Sequence, residues 1–309
     1  MRLNSQALQI GSDFAPDGHV KLYFLEGGTR AIVDTGVETS PERDIALYLA
    51  YYGYKLDDTD IILNTHGHLD HADGNPFIPR AEVWIHEEDA FFVEDAGKKF
   101  DVFLRPSLRL RSESQIEAGR AKFTAGFRKQ KVGRRLKDGD VVELGKGIQL
   151  RVVHLPGHTL GSVGYLWEKE GILFSGDGAV GQGSRPGSLP FIFHPFAYAR
   201  TLDKLLHMPI GTLATAHHYE SLRCAAMPIR KGEQVSVFLE DCREILERIL
   251  ESVGKAVHRH WQAPLPTVLG EAVDDLSTRL YLRREPSTGL PANALHTLGA
   301  CYDGIMGIL

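Results

Sequence analysis

Short apolar runs punctuated by Gly, Asp and Pro fill the first two thirds of the chain, and a longer helical periodicity replaces them afterwards. Val20–Leu25, the turn Glu26-Gly27-Gly28 and Thr29–Val33 read as two strands around a tight connection, ending at Asp34-Thr35-Gly36. Ser40-Pro41-Glu42 then opens a helix, with a capping hydroxyl, proline in the first turn and an acid favoured there. Ile45 and Leu49 share its apolar face and Gly53 stops it. Strands follow at Ile61–Leu63 and Ala81–Ile85, the second feeding a short helix at Ala90–Val93. Residues 95–131 break the rhythm and read as an inserted segment of one or two surface helices, placed to act as a lid. Strand signals return at Val141–Leu144, Ile148–His154, Ser162–Trp167 and Ile172–Ser175. Ala197–His207 reads as a helix and Gly211–Ala216 as a last strand. After Pro228, Val235, Phe238, Cys242, Ile245, Ile249 and Val253 recur at three- and four-residue steps, the mark of one long amphipathic helix. The pattern divides the chain into 1–228 and a mainly helical extension, 229–309.

Directly after Ile61-Ile62-Leu63 comes Thr65-His66-Gly67-His68-Leu69-Asp70-His71. Imidazole and carboxylate are ligand types for zinc and its first-row neighbours. A strand that ends in H-x-H-x-D-H points several of them into one small volume. Packing them together without a cation would leave polar groups uncompensated, at a cost of several kcal/mol. The other 11 of the chain's 14 histidines need separate grounds. His86 and His154 simply close apolar runs and read as packed or solvated. His158 after Pro156-Gly157, Asp177 after Ser175-Gly176 and His217 after Thr215-Ala216 share the placement of the cluster, each just past a strand. Gly or Ala beside each one permits close backbone approach.

Composition excludes several classes. The 309 residues, 43% hydrophobic and 24% charged, are those of an ordinary globular chain. A formal charge of −5 gives no general attraction to nucleic acid or to an anionic membrane. The basic run Arg128–Arg135 reads as a solvated face. Cys224, Cys242 and Cys301 form no C-x-x-C pair, which points to a reducing compartment, expected to be the cytoplasm. There is no signal-peptide-like N-terminus and no apolar run long enough to span a membrane. Gly176–Gly181 matches G-x-G-x-x-G after a strand, but Gln182-Gly183-Ser184-Arg185-Pro186-Gly187 cannot continue as the helix a dinucleotide site needs.

The ordered set Asp34-Thr35-Gly36, Thr65–His71, Pro156-Gly157-His158-Thr159, Ser175-Gly176-Asp177 and Ala216-His217 resembles the five motifs of the metallo-β-lactamase superfamily over roughly residues 20–220. The resemblance implies an α/β fold, the αββα sandwich, here with a helical insertion and a helical C-terminal extension. It implies a two-metal centre with His66, His68 and His158 on one ion, Asp70, His71 and His217 on the other, and Asp177 bridging. Asp34 would stand behind the site and orient a ligand histidine. One departure is Ala216-His217-His218 where the family usually has Gly-His-Gly, and strand alignment favours His217 over His218 as the ligand.

The implied chemistry is attack by a hydroxide shared by two divalent ions, zinc foremost with iron or manganese as alternatives, and Asp70 orienting water or moving its proton. The layout resembles glyoxalase II-like and thioesterase branches more than the lactamases. The leading expectation is therefore hydrolysis of a small thioester, lactone or related acyl substrate. Phosphodiester hydrolysis is one alternative, supported only by the run 128–135. An iron-dependent oxidoreductase such as a persulfide dioxygenase is another. His68, where flavin-linked diiron relatives carry Glu, argues against that branch. Arg185, His194 and Tyr198, in or after the loop following Asp177, are candidate substrate contacts. Phe238, Ile245 and Ile249 offer a face for the extension's own domain or for a homodimer.

Overall fold

The computed structural model describes residues 1–15, 18–286 and 288–308. Among the described residues, thirteen strands form two sheets. The first holds, in spatial order, β1 (Arg2–Asn4), β2 (Ala7–Ala15), β3 (Gly18–Leu25), β4 (Ala31–Val33), β5 (Ile61–Leu63), β6 (Glu82–His86) and β7 (Val132–Leu136). The second holds β8 (Val141–Gly145), β9 (Ile148–His154), β10 (Val163–Trp167), β11 (Ile172–Gly176), β12 (Thr212–Thr215) and β13 (Ile229–Lys231). β4, β5, β6 and β7 run parallel, as do β11 and β12. Their C-terminal ends therefore collect at one edge of the molecule, where loops carry function in open α/β sheets.

Alternation along the strands builds the layers. In β9 the inward positions Ile148, Leu150 and Val152 are buried while Gln149 and Arg151 face solvent. These inward residues meet Tyr23, Leu25, Val33 and Leu63 of the first sheet, and Trp167 and Phe174 fill the space between sheets. The outer face of the first sheet is covered by a π turn (Pro41–Ile45) that runs into α1 (Ala46–Tyr51), through Ile45 and Leu49. The helix stops where expected, with Gly53 at φ +81°. Ser40 does not cap it. Its hydroxyl accepts from the Val37 amide at 3.0 Å and meets Ser12 Oγ at 2.6 Å, because the chain enters already helical at Ser40.

Four short or mid-length helices follow: α2 (Leu69–Ala72), α3 (Phe91–Glu94), α4 (Ala96–Lys99) and α5 (Glu113–Ala125). The inserted segment thus carries two helices, joined by a π turn and a 3-10 turn that bring Phe103 inward. On the outer face of the second sheet lie α6 (Pro195–Leu206) and α7 (Glu233–Arg259). With α8 (Leu265–Ser277) and α9 (Ala294–Met306), α7 forms a helical annex with its own apolar core. The whole is an αββα sandwich with a helical insertion and a helical C-terminal region. Phe238, Ile245 and Ile249 are fully covered by the chain itself.

Three strands or strand pairs escaped the sequence pattern: β1–β2, β7 and β13. β7 lies in the basic run at a sheet edge, and β13 is a three-residue edge strand paired with β12 just past residue 228. Edge strands carry polar residues on their free side, so their apolar signal is weak. The strand expected at Thr29–Val33 begins only at Ala31.

Candidate metal centre

The loop after β5 is stitched between the two sheets. Tyr165 Oη donates to the Asn64 carbonyl at 2.7 Å, and the Val163 amide donates to the Thr65 carbonyl at 2.8 Å. Two glycines make the site possible. A Cβ on Gly67 would sit 2.1 Å from Phe92 Cβ, so only glycine lets this loop close against α3. Gly176, at φ +51°, faces Thr65 Oγ1, which a Cβ would meet at 2.3 Å.

Six of the seven predicted side chains are buried, and Asp70 is partly exposed. They converge in one small volume. His158 Nε2 lies 3.1 Å from His66 Nε2 and 2.8 Å from His68 Nδ1. Asp70, His71 and His217 form a second group, with His217 Nε2 3.4 Å from Asp70 Oδ2. Asp177 groups with His66 and His71, one from each set. Its Oδ2 lies 3.4 Å from His158 Nε2, 3.5 Å from His217 Nε2 and 3.7 Å from His71 Nε2. His218 takes no part in these groups, whereas His217 does.

Three of the imidazoles are oriented from behind. His158 Nδ1 donates to the Phe191 carbonyl at 2.6 Å, and His217 Nδ1 to the His19 carbonyl at 2.6 Å. His71 Nδ1 donates to Asp34 Oδ2 at 2.7 Å. Asp34 also accepts from the Thr65 amide at 2.8 Å and hydroxyl at 2.7 Å. Its backbone is left-handed, φ +58°, a conformation Asp tolerates better than most residues.

The electrostatics are those of a site that wants a cation. Burial and mutual repulsion push His66 and His68 well below the ordinary histidine range. Burial lowers His71 too, but Asp34, Asp70 and Asp177 overcome it and raise it to about 10. Burial opposes the ionised Asp177, yet His217, His71 and His158 hold its carboxyl far below the usual range. His71 Nε2 and Asp177 Oδ1 are buried without a hydrogen-bond partner, and three imidazole nitrogens, of His158, His66 and His68, meet at 2.8–3.1 Å. Buried polar atoms are normally paired. A donor set of this kind, facing inward and unpaired, fits a divalent ion.

Above the cluster opens a cleft of about 420 Å³ lined on one side by Phe103, Phe191 and Leu295 and on another by Ser184, Arg185 and Asn293. Of the candidate substrate contacts, Arg185 reaches this cleft. His194 lines a separate hollow, and Tyr198 lies inside α6 with its hydroxyl bonded to the Val180 backbone at 2.8 and 2.9 Å. The basic run stays out of the cleft, with Arg135 paired to Glu94 at 2.7 Å and Arg128 to Glu38 at 3.2 Å. Three residues in and around the site went unread in the sequence. Asp89 accepts from Thr159 Oγ1 at 2.7 Å and from the Gly161 and Gly67 amides at 2.8 and 3.3 Å, tying the loops of His66–His68 and His158 together. Its only sequence signal is an acid at a helix start. Tyr219, two residues past His217, lines the cleft. His296 comes from α9 and left no local trace.

Comparison with known proteins agrees with the geometry. The metallo-beta-lactamase superfamily model matches residues 15–217. The chain is 29% identical over 152 residues to a hydroxyacylglutathione hydrolase of Chelativorans sp. (strain BNC1), covering 49% of this chain and 53% of that protein. It is 32% identical over 211 residues to an acyl-coenzyme A thioesterase of Homo sapiens, covering 60% of this chain and 70% of the relative. The matches to the hydroxyacylglutathione hydrolases span about half of those relatives' length. A metallo-beta-lactamase family protein from Thermus thermophilus has the same fold, with a TM-score of 0.70, 23% identity and coverage of 99% of this chain and 95% of that one.

Proposed function

The chain belongs to the metallo-β-lactamase superfamily, and we propose that it is a hydrolase of small thioesters working with two divalent ions, zinc foremost. The observation that carries the metal assignment is the orphaned donor set. His66, His68 and His158 would hold one ion, Asp70, His71 and His217 the other, and Asp177 both, in keeping with its place in a group that takes one member from each set. When bound, such a pair would supply a water that ionises near neutrality and Lewis acidity toward a substrate carbonyl.

The protein's own residues do the rest. Asp34 fixes the tautomer of His71 so that Nε2 faces the centre. The Phe191 and His19 carbonyls do the same for His158 and His217. Asp70, at 15% side-chain exposure, is the most open carboxylate of the set and lines the cleft, where it would accept the proton of an attacking water. The aromatic wall of Phe103 and Phe191 receives the acyl group and excludes water from it. A thiolate leaves without a proton donor, since thiols ionise near about 8.5. One proton acceptor therefore suffices, and thioester chemistry suits this lining. The resemblance to a hydroxyacylglutathione hydrolase and an acyl-coenzyme A thioesterase supports the same class.

Elemental analysis and a substrate panel test the reading together. We expect about two ions per chain, with His71→Ala or His217→Ala removing about half. We expect thioester turnover to exceed that of lactone, phosphodiester and persulfide. Unchanged occupancy in both variants would overturn the ligand scheme, and preference for phosphodiester or persulfide would overturn the substrate class.

A further inference from the structure

The cleft does not end at the candidate metal centre. Arg185, Glu285 and Ala292 line both it and a second hollow of about 440 Å³, whose walls include Arg283 and Arg284. The two hollows thus adjoin along a rim that carries Arg185, and the second adds Arg283 and Arg284 from a distant part of the chain.

The rim is built rather than accidental. Arg185 opens a tight turn in which Ser188 returns its amide and hydroxyl to the Arg185 carbonyl, at 3.1 and 2.7 Å. Gly187 has φ +76°, and a Cβ there would sit 2.7 Å from Arg283 Cβ, so the two segments touch backbone to side chain. The Arg283 amide donates to the Gly187 carbonyl at 2.8 Å, and Gln182 Nε2 donates to the Tyr281 carbonyl at 2.6 Å. These bonds hold the segments of Arg185 and Arg283 side by side. Arg284 is engaged, at 2.5 Å from Asp274 and 2.8 Å from the Gly289 carbonyl. Neither Arg185 nor Arg283 has an ion pair or a side-chain hydrogen bond among the described residues, although Glu285 shares their rim. Exposed arginine forks in a concave wall, with a chain of −5 formal charge behind them, are a local positive site suited to phosphate or carboxylate.

Resting on the thioester reading, we infer that Arg185 and Arg283 bind an anionic group on the thiol half of the substrate, while the acyl half lies against Phe103 and Phe191. Phe103, Phe191 and Arg185 line the cleft that also holds Asp177 and His217, and Arg283 lines the adjoining hollow. The anion has two natural sources: the phosphates of a nucleotide thiol such as coenzyme A, or the carboxylates of a peptide thiol such as glutathione.

The test attaches one acyl group to coenzyme A, to glutathione and to uncharged N-acetylcysteamine, and compares wild type with Arg185→Ala/Arg283→Ala. The expected result is a ~10–100-fold fall in the preference, measured as kcat/KM, for one charged thioester over the neutral one. That fall should be carried by KM and should shrink at high salt. Arg185→Lys/Arg283→Lys should restore part of it. The charged substrate that shows the fall identifies phosphate or carboxylate. An unaltered preference in the double alanine variant would overturn the inference. Calorimetry with the free thiols separates this from the proposed function. If wild type hydrolyses none of the three thioesters, the thioester reading fails, yet binding of coenzyme A or glutathione that weakens at least tenfold in the double variant still supports the rim. Wild type that binds neither thiol sinks the rim itself.

Discussion

Asp34 has the most constrained role of any single residue near the centre. It sits in left-handed backbone at φ +58°, and its carboxylate accepts from the Thr65 amide, the Thr65 hydroxyl and His71 Nδ1. Asn tolerates the same backbone, so Asp34→Asn tests the carboxylate rather than the fold. An amide cannot accept from all three donors at once, and one of them, most costly at His71, must go unpaired or switch tautomer. We expect metal affinity to drop ~10–100-fold, read by competition with a chromophoric chelator, while far-ultraviolet circular dichroism stays native. Undiminished affinity would reduce Asp34 to a turn residue. At this scale the sequence was legible where an imidazole or carboxylate follows a strand beside a small residue, as at His66, His158, Asp177 and His217, which the fold brings together. It was silent on Asp89, whose neighbours Gly67, Thr159 and Gly161 are far away along the chain.

Among the elements, α9 has the least expected influence. Asn293, at its start, and His296 and Thr297 within it all reach back to the segments around the centre. Asn293 Nδ2 donates to the Leu189 carbonyl at 2.9 Å, and His296 Nε2 to the Phe103 carbonyl at 2.9 Å. The buried Thr297 hydroxyl donates to the Pro190 carbonyl at 2.5 Å and accepts from the Ile192 amide at 3.1 Å. Between those two lies Phe191, whose carbonyl orients His158. Thr297 is therefore a positioning residue for His158, which it never touches. Thr297→Val keeps the volume and removes the hydroxyl, leaving the Ile192 amide without its partner, a cost of about 1–3 kcal/mol. We expect weaker metal binding and an altered visible spectrum of the cobalt-substituted protein, with Thr297→Ser restoring both. A loss of thermal stability in the valine variant with an unchanged cobalt spectrum would confine Thr297 to packing. The long helix α7 was legible in the sequence because its apolar residues recur at helical steps, whereas α8 and α9 were expected only as part of a mainly helical remainder. The coupling was not legible, because it runs through backbone carbonyls that any residue supplies. Short β13 and the polar edge strand β7 were hidden for the opposite reason: pairing, not pattern, makes them strands.

At the scale of the whole molecule, two histidines sit at the joints between layers. His86 closes β6 of the first sheet and its ring stacks on that of His154, which closes β9 of the second, with centroids 4.4 Å apart and planes 9° from parallel. His296 joins α9 to the insertion. Burial lowers both His86 and His296 to about 4, assisted at His86 by the neighbouring His154. In the unfolded chain each would titrate near about 6.5. Below that value the unfolded state takes up protons that the folded state refuses, so stability is fully present above about pH 6.5 and falls as pH drops toward about 4. Ligand histidines of the centre also titrate, so the joint must be isolated by difference. His86→Phe keeps an aromatic ring for the stack and removes the proton site. Urea unfolding of the metal-free protein at pH 7.5 and pH 5 should show a smaller acid loss in this variant than in wild type, by about 1–2 kcal/mol. Parallel pH profiles for the two proteins would mean that the sheet joint does not sense protons and that acid sensitivity lies in the centre alone.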